Sequence, residues 1–169
     1  FLAPPDEGQL LDNSAWLDLL LVHEFTHAVH LDKVRGVPSV LQAIFGRVAW
    51  FMPHVFQPGW ATEGIATYLE SDPASGRGRL KGPLFEAWLR AERASGFLSL
   101  REINADGRAL PLSKQYLYGA YFYEFLARRY GADKPAALIH QYSGNIVPRL
   151  HSNPSGATGK TMDVLWDEF

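Results

Sequence analysis

The sequence predicts a single domain that is mainly α-helical, and three observations carry that expectation. Apolar residues recur at three- and four-residue steps, as in Trp16, Leu17, Leu20, Leu21, Phe25, Ala28 and Leu31, a spacing that lines the face of a helix. Stop and start signals punctuate such stretches at Arg35-Gly36-Val37-Pro38, Gln57-Pro58-Gly59, Ser71-Asp72-Pro73 and Gly131. No alternating apolar and polar run of useful length appears, nor any internal repeat. With 169 residues, 47% of them hydrophobic, the chain has enough apolar mass for one packed core, which excludes disorder.

Taken in order, residues 1–11 hold Pro4, Pro5 and Gly8 and read as an irregular lead-in. Asp12, Asn13 and Ser14 then offer N-caps for a long first helix ending at Arg35-Gly36. Pro38 and Ser39 open a strongly apolar second helix through Val40, Leu41, Ile44 and Phe45 that stops before Pro53. A third helix runs from about Trp60 to Glu70, and the Gly-, Ser- and Arg-rich stretch from Asp72 to Gly82 reads as a mobile loop. Pro83 opens a helix to Ser95-Gly96, and Ser99-Leu100-Arg101-Glu102 fits a capping box. Further helices are expected from Ser113 to Tyr130, Asp133 to Tyr142 and Thr161 to Phe169, with an irregular loop from Asn145 to Gly159.

Charge and composition remove several function classes. A net charge of −2 without a clustered basic excess speaks against nucleic acid as a partner. The absence of cysteine excludes disulfides and thiolate ligands, so a transition metal has to be held by imidazole and carboxylate. Gly156 to Thr161 invites a phosphate-loop reading, but Pro154 stands where the first glycine belongs and no buried strand precedes it, so nucleotide binding is not expected. The most apolar stretch, Val37 to Phe56, contains Gln42, Arg47, Pro53 and His54 and makes a poor bilayer span. A first residue Phe1, with no basic and apolar leader, reads as a mature or excised piece.

His23-Glu24-Phe25-Thr26-His27 places two imidazoles one turn apart on the same helix face, where both reach one ion. A catalytic zinc uses three protein ligands and leaves a position open for water, whose pKa it lowers to about 7. Glu24, displaced by one residue, lies beside that water as a general base. A metzincin would need glycine at position 30 and histidine at 33; His30 and Lys33 stand there instead, so the third ligand comes from elsewhere. A glutamate near the start of the third helix completes such a set.

The His-Glu-x-x-His motif followed by Trp60-Ala61-Thr62-Glu63-Gly64-Ile65-Ala66-Thr67-Tyr68 resembles the gluzincin peptidases of the peptidase MA-like group, and more distantly aminopeptidase N. The resemblance implies a zincin-like domain with little or no remaining β-sheet, Zn2+ held by His23, His27 and Glu63, and peptide or protein substrates. It also implies a tyrosine three residues before a glycine as oxyanion donor, which assigns Tyr116 ahead of Gly119, with Tyr118 as the fallback and aromatic packing as the competing role of Tyr116. His30-Leu31-Asp32, Phe45-Gly46-Arg47 and Gln57-Pro58-Gly59-Trp60 resemble bacterial extracytoplasmic proteins in which such a domain precedes a β-propeller, which implies a periplasmic or secreted location. The Gly-x-Met-x-Asn element of aminopeptidases is not found, which sets aminopeptidase action apart from the rest of the likeness.

Other residues carry weaker expectations. Glu70, two turns after Glu63, is placed either to orient a ligand imidazole or to solvate the helix end. His30 reads as a hydrogen-bonded, partly buried histidine, and His54, His140 and His151 lie outside ligand spacing. Trp50, Phe51, Met52, Val55 and Phe56 form an apolar cluster that reads as core, with a substrate wall, a membrane contact or a docking face as the functional readings. The expected activity is zinc-dependent peptide hydrolysis; the alternative is a catalytically silent zinc-binding or scaffolding module of a larger protein.

Overall fold

The computed structural model describes residues 16–71, 76–105, 114–145 and 156–169. Eight α-helices appear among them: α1 (Trp16–Asp32), α2 (Val37–Phe45), α3 (Gly59–Glu70), α4 (Pro83–Ser95), α5 (Leu100–Ala105), α6 (Lys114–Tyr130), α7 (Lys134–Tyr142) and α8 (Met162–Glu168). No β-strand occurs among the described residues, and no helix there is long and apolar enough to cross a membrane. The chain is therefore mainly α-helical, as its periodicity predicts. The proposed caps Asp12 to Ser14, Ser113, His151 and most of the 145–159 loop lie outside the described residues.

Local chemistry explains the helix ends. The Ser99 capping box closes both ways, with Ser99 N donating to Glu102 Oε2 at 2.8 Å and Glu102 N donating to Ser99 Oγ at 3.3 Å. Thr161 caps α8 by accepting from Val164 N. α2 stops sooner than predicted. Gly46 adopts φ 79°, a left-handed conformation suited to glycine, and returns its N–H to Gln42 O at 2.8 Å. A 3-10 turn, Ala49–Phe51, replaces the expected continuation, and a second, Pro53–Phe56, follows it.

α3 and α6 form the centre. They cross where Gly64 meets Gly119, so closely that a Cβ on Gly64 would lie 2.4 Å from Gly119 Cα, and one on Gly119 would lie 2.0 Å from Trp60 O. Trp60, Leu117, Tyr118, Phe122 and Tyr123 pack around this seam, and α8 covers it with Leu165 and Trp166. Trp166 stands 4.9 Å from the Trp60 ring and stacks on Tyr118 at 6.1 Å. The polar ends of these rings are satisfied: Trp60 Nε1 donates to Asn104 Oδ1, Trp166 Nε1 to Leu98 O, and Tyr118 Oη to Glu92 Oε2.

α1 packs on α3 with an unexpected face inward. Its buried residues are Leu19, His23, Thr26 and His30, while Leu17, Leu21 and Phe25, which share the apolar spacing, face outward; Phe25 is 71% exposed. The inward side is chosen by the polar partners on α3, described below. The apolar outer side borders a groove of about 370 Å3 shared with Leu69 and Ile139.

Because the Gly64 contact is with backbone, no side-chain rotation relieves an added methyl. Gly64→Ala or Gly119→Ala is expected to lower stability by about 2–3 kcal/mol, the cost of overpacking exceeding any gain in helix propensity. Urea unfolding followed by helical circular dichroism measures it.

Candidate metal centre

His23 and His27 project from the inward face of α1 one turn apart, and Glu63 meets them from the first turns of α3. Their facing atoms form a near-equilateral triangle: His23 Nε2 lies 3.1 Å from His27 Nε2 and 3.2 Å from Glu63 Oε2, and His27 Nε2 lies 3.3 Å from the same oxygen. This trio is the one His, Cys, Asp or Glu group among the described residues whose ligand atoms converge closely enough for a metal. Two ligands of a tetrahedral zinc, each about 2.0–2.1 Å from the ion, stand about 3.3 Å apart. The donor set and its spacing therefore fit zinc.

Behind His23 lies a buried ionic pair. Glu70 Oε2 lies 2.9 Å from His23 Nδ1, and Arg79 reaches both oxygens of Glu70, with Nε to Oε1 at 2.5 Å and Nη2 to Oε2 at 2.7 Å. Arg79 Nη2 also approaches His23 Nδ1 at 2.8 Å. Of the two placements for Glu70, the structure selects the one that orients an imidazole. Burial pushes the Glu70 carboxyl up, but its bonds to Arg79 and His23 outweigh this and hold it below the usual carboxylate range.

Burial likewise works against the charged forms of His23 and Glu63, yet their mutual bond prevails. His23, bonded to Glu63 and Glu70, is held above its ordinary value, and Glu63, facing both imidazoles, below its own.

The α3–α6 seam explains the tyrosine. Glu63 precedes Gly64 and Tyr116 lies one turn before Gly119, so the crossing brings the phenol near enough to the carboxylate for the Glu63 charge to act on it. Tyr116 also stacks on His23 at 5.9 Å. Burial, together with the Glu63 charge, pushes its phenol up and keeps the proton that a donor needs. The fallback, Tyr118, is excluded: its hydroxyl is buried in the core between Glu92 and Leu98 N, the latter at 2.9 Å. Glu24 lies on the exposed side of α1, close enough for its charge to act on Tyr116.

Other expectations are corrected. The stretch 76–82, read as a mobile loop, carries an ordered 3-10 turn at Arg79–Lys81 and supplies Arg79, which sequence reasoning missed. The available signal was indirect: a glutamate on the buried face of α3 requires a cation, and Arg77, Arg79 and Lys81 are near in sequence. Trp50 is not core but 76% exposed, its ring tilted against Phe56 at 5.7 Å. His30 and His54, by contrast, are fully inside, with rings 4.4 Å apart.

The chain matches no protein-family model, and no solved structure matches it. It is 28% identical over 151 residues to an uncharacterized protein of Treponema pallidum (strain Nichols), an alignment covering 89% of this chain and 12% of that protein. The chain thus spans about an eighth of that relative's length.

The buried histidine pair has a consequence for acid stability. Burial, then the positive charges of His54 and His27, pushes His30 down to about 3, and burial pushes His54 down as well. Above pH 6.5 folded and unfolded chains hold these rings neutral alike; below it the unfolded chain takes up protons that the native one refuses. The thermal midpoint measured in chelator is expected to fall as pH drops from about 6.5 towards 3, and His30→Phe to flatten part of that slope.

Proposed function

We propose that the protein is a zinc-dependent metallopeptidase of the gluzincin kind, with a zincin-like catalytic domain. The single observation that carries this reading is the triangle of His23 Nε2, His27 Nε2 and Glu63 Oε2, with edges of 3.1–3.3 Å. Zinc bound there supplies Lewis-acid polarisation of oxygen at neutral pH. Glu24, on the same helix and open to solvent, accepts the proton of the attacking water and returns it to the leaving amine. Tyr116 donates its phenolic proton as a hydrogen bond to the oxyanion of the tetrahedral intermediate. Glu70 holds His23 in the tautomer whose Nε2 lone pair faces the site.

Peptide or protein substrates, a β-propeller in the same parent chain and an extracytoplasmic location complete the proposal, on the likeness of the two motifs. Nickel or cobalt also suits imidazole and carboxylate, so zinc is assigned by metal analysis of freshly purified protein.

Three variants separate the roles. Glu24→Gln is expected to retain one zinc per chain and lose hydrolysis of a mixed peptide library. Glu63→Ala is expected to lose the metal itself, as read by elemental analysis. Tyr116→Phe is expected to keep zinc while kcat falls about a hundredfold, the usual effect of deleting one oxyanion donor. Full activity in Glu24→Gln would refute the mechanism; zinc binding without activity in either this chain or its longer parent would favour the scaffolding module.

A further inference from the structure

We propose that Arg79 is the positioning residue of the metal centre, its guanidinium clamping Glu70 so that His23 presents Nε2, and not an N–H, to the cation. The proposal rests on the metal reading above.

Three observations support it. The first is where the ring proton must be. His23 Nδ1 has two neighbours, Glu70 Oε2 at 2.9 Å and Arg79 Nη2 at 2.8 Å. If Arg79 donated to a bare Nδ1, the proton would sit on Nε2 and block coordination. If Nδ1–H donates to Glu70, Nε2 is free, and the guanidinium spends its donors on the two carboxylate oxygens. A carboxylate fixed at both oxygens cannot rotate away from the ring.

The second is how Arg79 arrives. Gly78 has φ 94°, and a Cβ there would lie 2.3 Å from Ser71 Cα, so the chain folds tightly back on the end of α3. Ser71 latches this return: its hydroxyl donates to Thr67 O at 2.8 Å and accepts from Leu80 N at 3.2 Å. Arg79 is thereby buried, with its guanidinium 4.8 Å above the Tyr116 ring. One side chain thus touches the carboxylate, the imidazole and the phenol of the site.

The third is asymmetry. His27 Nδ1 is buried and has no protein hydrogen-bond partner among the described residues. Ring orientation in the pair therefore depends on the His23 side, where the clamp is.

The test compares wild type with Arg79→Met, which preserves length without charge, and Arg79→Lys, which preserves charge without the two-point clamp. In metal-free protein titrated to a pH at which the His23 ring is neutral, long-range proton–nitrogen correlation of the histidine rings is expected to show His23 as one Nδ1–H tautomer in wild type and as a mixture in Arg79→Met. Zinc affinity, measured by competition with a chromophoric chelator, is expected to fall about 10- to 100-fold in Arg79→Met and about three- to tenfold in Arg79→Lys. Should Arg79→Met fail to fold by circular dichroism, Arg79→Lys carries the same two readouts. Wild-type ring spectra and zinc affinity in the folded variants would overturn the proposal. A wild-type chain with the single tautomer, lost in the variant, but no zinc binding would instead sink the metal reading and leave the clamp standing.

Discussion

Everything in this molecule depends on two helices meeting where neither has a side chain. The Gly64–Gly119 contact lets α3 and α6 approach at backbone distance, and that approach sets the rest of the architecture. Trp60 lies against α6 because its carbonyl faces Gly119, and α8 then has a flat aromatic surface to cover. The residues beside the two glycines, Glu63 on one helix and Tyr116 on the other, are brought together as a by-product of packing. The chemistry of the site is thus attached to the seam that stabilises the core.

Around that seam the energetic problem is burial of charge. Glu70 and Arg79 are both largely withdrawn from water, and a lone charge there would be strongly unfavourable. Two-point pairing offsets the desolvation, and Glu70 Oε2 also faces His23. The result contributes direction more than stability: one imidazole is aimed by an anion held in place by a cation. Glu24, left exposed on the same helix, is spared this network and stays accessible to solvent protons.

The sequence made the helices legible because their limits are written in single residues: Pro83, Ser99 with Glu102, Thr161 and Gly131 each act through local geometry. The convergence of His23, His27 and Glu63 was legible too, since i and i+4 spacing fixes two of the three and the Trp60 to Tyr68 pattern points to the third. What could not be read depends on contacts between distant segments. The orientation of α1 is one such case, for its apolar residues occur on every side and spacing alone does not choose a face. The fold-back at Gly78 is another. A run of glycines and arginines looks like a loop until Ser71 is known to lie beneath it. The early end of α2 at Gly46 is of another kind, a local signal masked by the apolar residues that follow it.

Three of the four buried residues of α1 are polar, while Leu21 and Phe25 face the solvent. That helix is therefore held to α3 by the imidazoles of His23 and His27, since the Thr26 hydroxyl donates to Val22 O within α1 itself. An ion bridging His23, His27 and Glu63 would staple α1 to α3 in the manner of a cross-link, so loading the centre and securing the helix become a single equilibrium.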